Sequence, residues 1–394
     1  MKFPFSEPDR LNLDPAYSRL QDEPMVKIKL PYGEEAWLAT RYTDVRTVLG
    51  DLRFSRAMAA TRDEPRSVPQ QMSDGILAMD PPEHTRLRSL VARAFTTRRV
   101  EQLRPRVREI ADELLDDMQK AGPPADLVEL FATPLPIRVI CEMLGVPHTD
   151  QDKFHTWTEA VVSTTSLTPE TILQYRDSLY AYMADLIEQR RQAPTEDLIS
   201  TLIRARDEDQ SRLTEDEMVR LAMGLLAAGH ETTVTQIPNF VYVLLTHPDK
   251  MAELVSDPSL IPAAVEELMR YVPLGATVGF ARYATEDMEL GGVHVKAGEP
   301  VLGAIGAANR DPRAFARPDE LDFKREANQH MGFGHGVHHC IGAPLARMEL
   351  QVALGVLLSR LPGLRLAVPE EDLKWKRGLI VRGLKEMPVT WERP

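Results

Sequence analysis

The chain is predicted to be mainly α-helical with a small, segregated β portion, and three observations predict it. Apolar residues recur three and four apart over the long stretch from about Val100 to Tyr271. Strand-like alternation is confined to Val26–Tyr42, Phe280–Ile305 and the tail Leu364–Trp391. Strands and helices come in blocks rather than in turn, so no repeated strand–helix–strand unit with a parallel sheet is implied.

Each element has its own signal. Val26–Tyr42 reads as two short strands around Pro31-Tyr32-Gly33, a small hairpin. Asp80-Pro81-Pro82-Glu83 opens a helix, with Asp80 as its cap and the prolines in the first turn, where a missing N–H costs nothing. Val100, Leu103, Val107, Ile110, Leu114 and Met118 line one helical face, which Gly122-Pro123-Pro124 brings to a stop. Glu217–Leu245 should be one long, largely apolar helix, bent where Pro238 removes the hydrogen bond to the Val234 carbonyl. Gly291-Gly292 makes a hairpin turn between Met288-Glu289-Leu290 and Val293-His294-Val295. Ala346–Leu361 is the last helix.

The 394 residues could fill two or three average domains, yet no linker, repeat or low-complexity segment divides them. One domain spanning 1–394 is expected. The net charge of −12 disfavours nucleic acid or an anionic membrane as main partner. Two cysteines cannot build a disulfide framework, which fits a reducing compartment. Met1–Pro15 lacks the apolar core of a signal peptide, and no later run reaches membrane-span length. A soluble, cytoplasmic protein is expected.

Four motifs carry chemistry. In the richest, Phe333-Gly334-His335-Gly336-Val337-His338-His339-Cys340-Ile341-Gly342-Ala343-Pro344, a thiol stands just ahead of a helical pattern. A helix start and nearby N–H groups favour a thiolate. Gly336 and Gly342 permit close backbone approach and positive φ, Pro344 suits the first helical position, and Phe333 can cover the sulfur. Two plainer readings stand beside this one: a small buried hydrophobe, or a zinc site of His335, His338, His339 and Cys340, for which no second ligand cluster exists elsewhere.

The second motif is Ala227-Ala228-Gly229-His230-Glu231-Thr232-Thr233, in the middle of the long helix. For helix stability it is a poor choice: glycine costs about 1 kcal/mol against alanine, and threonine loses side-chain freedom. A carboxylate among apolar residues is costly as well. A kink used only for packing is the plain reading; a site that handles protons is the functional one. Third, Glu267 and Arg270 share one helix face, a spacing worth only tenths of a kcal/mol on a surface. Fourth, His84 and Arg88 also share one face.

Taken in chain order, these motifs resemble those of the cytochrome P450 superfamily: His84-x-x-x-Arg88, the acid–alcohol pair Glu231-Thr232, Glu267-x-x-Arg270, and Phe333-x-x-Gly336-x-x-x-Cys340-x-Gly342. The resemblance spans essentially the whole chain and implies the cytochrome P450 fold. It implies heme b, with Cys340 as thiolate ligand to the iron, the ligation that favours O–O cleavage. His84, Arg88, Arg282 and His338 would bind the propionates, with Ala228, Gly229, Phe333 and Gly342 also bordering the cofactor. Gly229 would open the helix for oxygen, while Glu231 and Thr232 deliver protons. Glu267 and Arg270 would be a structural ion pair. The family often adds an arginine in a later segment, but Glu320 stands there in Pro318-Asp319-Glu320-Leu321, with Arg317 and Arg325 close by.

The implied function is a monooxygenase that hydroxylates or epoxidises a bulky secondary metabolite, above all a macrolide, with O₂. No flavin or nicotinamide fingerprint appears, so electrons would come from a ferredoxin and its reductase. The ferredoxin would dock on Arg86–Arg108, which holds eight arginines and one acid, Glu101. The substrate pocket would be bordered by Met58–Met79, the helix around Ala227, Leu274-Gly275-Ala276-Thr277-Val278, and the turn near Leu379-Ile380. Two alternatives remain open: oxidative coupling of aromatic natural products such as indole-containing cyclic dipeptides, and a non-enzymatic heme or ligand-binding protein.

Overall fold

The computed structural model describes residues 1–71, 75–209, 211–276 and 278–392. The chain divides into two compact units.

The first unit comprises Met1–His84, Glu266–Ile341 and Gly378–Arg382. It holds the β portion foreseen at both ends of the helical block. A five-stranded sheet runs in the order Val26–Lys29, Glu35–Ala39, Pro300–Gly303, Arg282–Ala284, Phe54–Ser55. The first two strands are the expected hairpin, Val26 opposite Leu38. Its turn needs Gly33: at φ +85° a Cβ there would run into the Glu64 carbonyl. Glu35–Ala39 pairs in parallel with Pro300–Gly303. The sheet is therefore mixed, its parallel pair joining distant parts of the chain. The Gly291-Gly292 turn forms as expected between Met288–Leu290 and Val293–Val295. Alternate residues Ile28, Leu38, Tyr283 and Leu302 are buried and pack one face of the sheet into a core.

The second unit comprises Thr85–Val265, Gly342–Arg377 and Gly383–Pro394, and is mainly helical. The expected amphipathic helix runs Thr97–Ala121; the Thr96 hydroxyl accepts from the Arg99 N–H at its start, and Gly122 ends it at φ 79°. The long apolar helix is Glu215–Thr246, started by a capping box between Thr214 and Glu217. It is buried along most of its length, which explains why its apolar residues surround it on all sides. The last helix is Ala343–Arg360, three residues longer at its start than the periodicity indicated. The tail contributes only Arg365–Leu366 and Pro388–Thr390, which join Ala125–Asp126 in a small sheet. Among the described residues, no helix is long and apolar enough to cross a membrane.

Candidate functional site

The cysteine loop is built by glycine. Gly336, at φ 72°, presses its α-carbon against the helix Tyr42–Gly50; a Cβ would strike the Leu49 carbonyl and come within 2.6 Å of Gly50 Cα. Gly334, at φ 75°, closes a turn in which its N–H donates to the Met331 carbonyl over 2.8 Å. The Cys340 N–H then donates to the Phe333 carbonyl over 2.8 Å, which brings the two ends of the Phe333–Cys340 segment together. Gly342 departs from expectation: its φ is −81°, so it serves as helix N-cap without positive φ, and Pro344 sits inside the first turn. The two cysteines differ sharply. Cys141 is buried in the helix Pro134–Leu144, and burial pushes its thiol up to about 12, so it is inert. Cys340 is exposed.

Beside this loop in the first unit lies a cluster of cationic side chains. Arg282, on its strand, is 7% exposed and makes no ion pair among the described residues; burial and the neighbouring Arg56 pull it down to about 10. Its nearest acids are engaged elsewhere. Glu64 pairs with Arg56, and Asp80 accepts from the Ser55 hydroxyl and the Arg56 N–H. Asp80 therefore ties down the Ser55–Ala57 backbone with its side chain, rather than capping the helix that follows. The His84 and His338 rings lie 4.4 Å apart between centroids. His338 is pushed down to about 3 by burial and by Arg282, so it is neutral, and its buried Nε2 has no partner. Arg56 Nη2 is likewise buried without one. Unpaired buried cations and orphaned nitrogens are costly unless an anion completes them. Arg88 follows His84 by four residues on the helix Glu83–Ala92 and is half-buried.

In the second unit, the long helix leaves one narrow face open. Gly224 and Ala228 are exposed and Thr232 half-buried; they are four apart, while most of the helix around them is buried. The Thr232 hydroxyl donates to the Ala228 carbonyl over 3.2 Å. Ala227, expected on the pocket border, is buried. Gly229 has a packing reason of its own: a Cβ would lie 2.8 Å from two Ile140 carbons, so glycine lets the two helices close up. Glu231 is 4% exposed and lies 3.3 Å from His230.

The Glu267 network is complete, with a different third member. The Arg270 guanidinium donates to both Glu267 oxygens, at 2.9 and 2.7 Å, and Arg325 donates to them at 3.1–3.2 Å. Arg325 takes the third place, while Arg317 pairs with Glu320 at the surface. Asn328 and the Asp322 N–H add further donors. The sequence marks Arg325 only as a neighbour and gives no sign of Arg56; the Glu267 carboxylate and the Ala281 carbonyl that they reach are remote in the chain, so no local spacing shows them.

Of the expected pocket borders, the structure ties two together: the Ala276 N–H donates to the Ile380 carbonyl over 2.8 Å, and Gly275 bridges to Val381. Thr277 and residues 72–74 of the Met58–Met79 segment lie outside the described residues. Among the described residues no group of three His, Cys, Asp or Glu side chains could hold a metal ion.

Comparisons with known proteins agree with one another. The Cytochrome P450 family profile matches residues 166–374. The mycinamicin IV hydroxylase/epoxidase of Micromonospora griseorubida is 56% identical over 390 residues, covering 99% of this chain and 98% of that protein. The nocardicin C N-oxygenase of Nocardia uniformis subsp. tsuyamanensis is 52% identical over 392 residues, with the same two coverages. The crystal structure of HinD with NMFT and NO superposes with a TM-score of 0.96 at 49% identity, covering 99% of each chain. Identity of this order over nearly the whole length, joined to the same fold, makes the chain a member of the cytochrome P450 family, a monooxygenase whose family cofactor is heme.

Proposed function

We propose that the chain hydroxylates or epoxidises a macrolide or a natural product of similar bulk, with electrons from a ferredoxin. The observation that carries the heme assignment is the cation cluster. Heme brings two propionate carboxylates, and Arg282 together with the orphaned nitrogens of His338 and Arg56 lacks such an anion. Cys340 is the exposed cysteine, at a helix start, and is assigned as the iron ligand. His84, Arg88, Arg282 and His338 are assigned to the propionates; Ala228, Gly229, Phe333 and Gly342 border the cofactor. Bound heme supplies the activation of O₂ and the insertion of one oxygen atom into a C–H or C=C bond.

The chain's own part is to shape the pocket and to move protons. Glu231 offers a buried carboxyl for proton transfer, and the Thr232 hydroxyl, turned to the Ala228 carbonyl on the helix's open face, is assigned to position the proton. A positioned proton donor is worth about 10²–10⁴-fold. Thr232→Ala is therefore expected to divert most of the reductant to hydrogen peroxide while substrate still binds. Unchanged product per reductant would remove the role.

Macrolide as substrate class rests on likeness to the mycinamicin IV hydroxylase/epoxidase. Gly275 and Ala276, small residues held against Ile380, support room for a large ligand. Titration with macrolides, cyclic peptides and small terpenes, read by the low-to-high-spin change of the heme, tests it. Binding by macrolides is expected; tight, spin-shifting binding by a small terpene alone rejects it.

For the ferredoxin, seven of the eight arginines, all but Arg88, fall into two groups. Arg86, Arg104, Arg106 and Arg108 are paired with Glu217, Glu101, Glu142 and Asp112. Arg93, Arg98 and Arg99 are exposed and make no ion pair among the described residues. An acidic carrier would be steered to these three. Charge reversal at Arg98 and Arg99 is expected to slow reduction by roughly tenfold at low salt and to flatten its salt dependence. A rate and salt slope equal to the parent's would place docking elsewhere.

A further inference from the structure

One cleft of the helical unit takes no part in the heme site. It measures about 680 Å³, a size within the range of small-molecule sites. Helices Glu83–Ala92, Thr97–Ala121, Pro134–Leu144 and Leu198–Glu208 wall it. Its floor is apolar: Val107, Ile110, Val139 and Leu198 are buried and Leu103 is half-buried.

Arginines stand around this floor, and the fold treats them unequally. Arg106 is taken by Glu142 at 2.8 Å. Arg93, Arg99, Arg204 and Arg212 line the cleft, are exposed, and make no ion pair among the described residues. Arginines on the same helices that do not line it are paired: Arg104 and Arg108 with Glu101 and Asp112, and Arg206 with Asp207 and Glu215. Arg99 and Arg204 reach only neutral acceptors, the Gln102 side-chain oxygen over 3.3 Å and the Thr201 hydroxyl over 3.1 Å. Those bonds anchor the guanidinium groups without matching their charge. Arg212 is placed through its backbone. Arg86, itself tied to Glu217, donates to the Arg212 carbonyl over 2.7 Å, which holds this residue to the helix that ends just before Arg93.

Two acids also line the cleft, Glu196 and Glu208; both are exposed, and neither makes an ion pair among the described residues. Four open cations against two open acids leave the cleft positive, in a chain whose net charge is −12. Guanidinium forks match the oxygens of phosphate and carboxylate two at a time. The two acids repel a polyanion but tolerate a single anionic head.

We propose that the cleft binds a free organic oxyanion, an apolar body ending in one phosphate or carboxylate. The body lies along the Leu103–Ile110 floor, and Arg204 and Arg212 hold the head together with Arg93 and Arg99. Arg93 and Arg99 also belong to the surface assigned to the ferredoxin, so an occupied cleft withholds two of its cations and slows electron delivery. That consequence rests on the ferredoxin reading; the binding site does not.

The test titrates the holoenzyme by calorimetry with octyl phosphate, with ethyl phosphate and octanol as probes of the head and the body alone. Octyl phosphate is expected to saturate one site and to bind roughly tenfold tighter than either, since it alone fills both floor and arginines. Arg204→Gln combined with Arg212→Gln should weaken it about tenfold, the lower end for hydrogen bonds to charged groups at an exposed rim. Arg98→Gln, outside the cleft, should change it by less than about twofold. Octyl phosphate should also slow reduction by ferredoxin, but not by dithionite, and should lose this effect in the double variant. Absence of saturable binding, equal affinity for octyl and ethyl phosphate, or an affinity untouched by the double variant overturns the inference. Retention on phosphatidic acid vesicles without binding of the soluble ester overturns it too. If octyl phosphate binds as expected and ferredoxin still reduces the enzyme at full rate, the site stands and docking on Arg93 and Arg99 is what fails.

Discussion

Cys340→Ser is expected to abolish oxygenation and to remove the red-shifted Soret band of the ferrous–CO complex, while some heme stays bound. A serine oxygen is a far poorer anion at neutral pH than a thiolate, and the electron donation that favours O–O cleavage comes from sulfur. The residual heme is expected because Arg282, His84 and His338 are untouched by the change. Cys141→Ser is the internal comparison: that thiol is buried and pushed up to about 12, so the band should survive. A red-shifted band in the Cys340 variant would show that the ligand had been assigned to the wrong residue.

Glu267→Ala should cost more stability than any other single change proposed for this chain. The carboxylate is fully buried and accepts from Arg270 and Arg325, both of which lie inside the protein. Removing one partner of a buried pair costs about 3–5 kcal/mol, because the other charge is left without compensation. Here two cations are left. Total stability of such proteins is about 5–15 kcal/mol, so the variant should retain little folded holoprotein at 37 °C. Urea unfolding of the purified variants measures it, with Arg325→Gln as the milder member, since the Glu267–Arg270 pair remains. A Glu267→Ala unfolding free energy within about 1 kcal/mol of the parent would mean that the network does not secure this unit.

What could be read in advance was whatever the chain encodes locally. The hairpin Val26–Ala39, the Gly291-Gly292 turn and the long helix all form within a few residues of where periodicity and turn residues put them. The tail misled: Leu364–Trp391 alternates in character, yet it builds only short strands at its ends, with isolated bridges Gly275–Val381 and Trp375–Leu384 between. Alternation records which side chains are covered, not which backbone partner is present. Asp80 misled for a related reason. Its position before a helix fits a cap, but Ser55 and Arg56, remote in sequence, take its oxygens. The sequence suggests oxygen access as the task of Gly229, whereas its contact with Ile140 shows a packing role as well.

The site divides along the same line. Glu231 and Thr232 stand out in the sequence because an apolar helix is weakened by holding them, and Cys340 because a lone thiol among glycines adds nothing to a core. Arg325 is an ordinary residue in ordinary surroundings until the fold carries it to Glu267. Pairing between residues so far apart in the chain leaves no trace in local composition, so only the structure could assign them.

On the function proposed above, this chain inserts one atom of dioxygen into a bulky, largely apolar substrate. Turnover of a spin-shifting macrolide under ¹⁸O₂, with ferredoxin, reductase and reductant, followed by mass analysis of the product, tests it directly. A single labelled oxygen per product molecule is expected, absent from the Cys340→Ser variant. A product joined through a new carbon–carbon or carbon–nitrogen bond and carrying no label would contradict it.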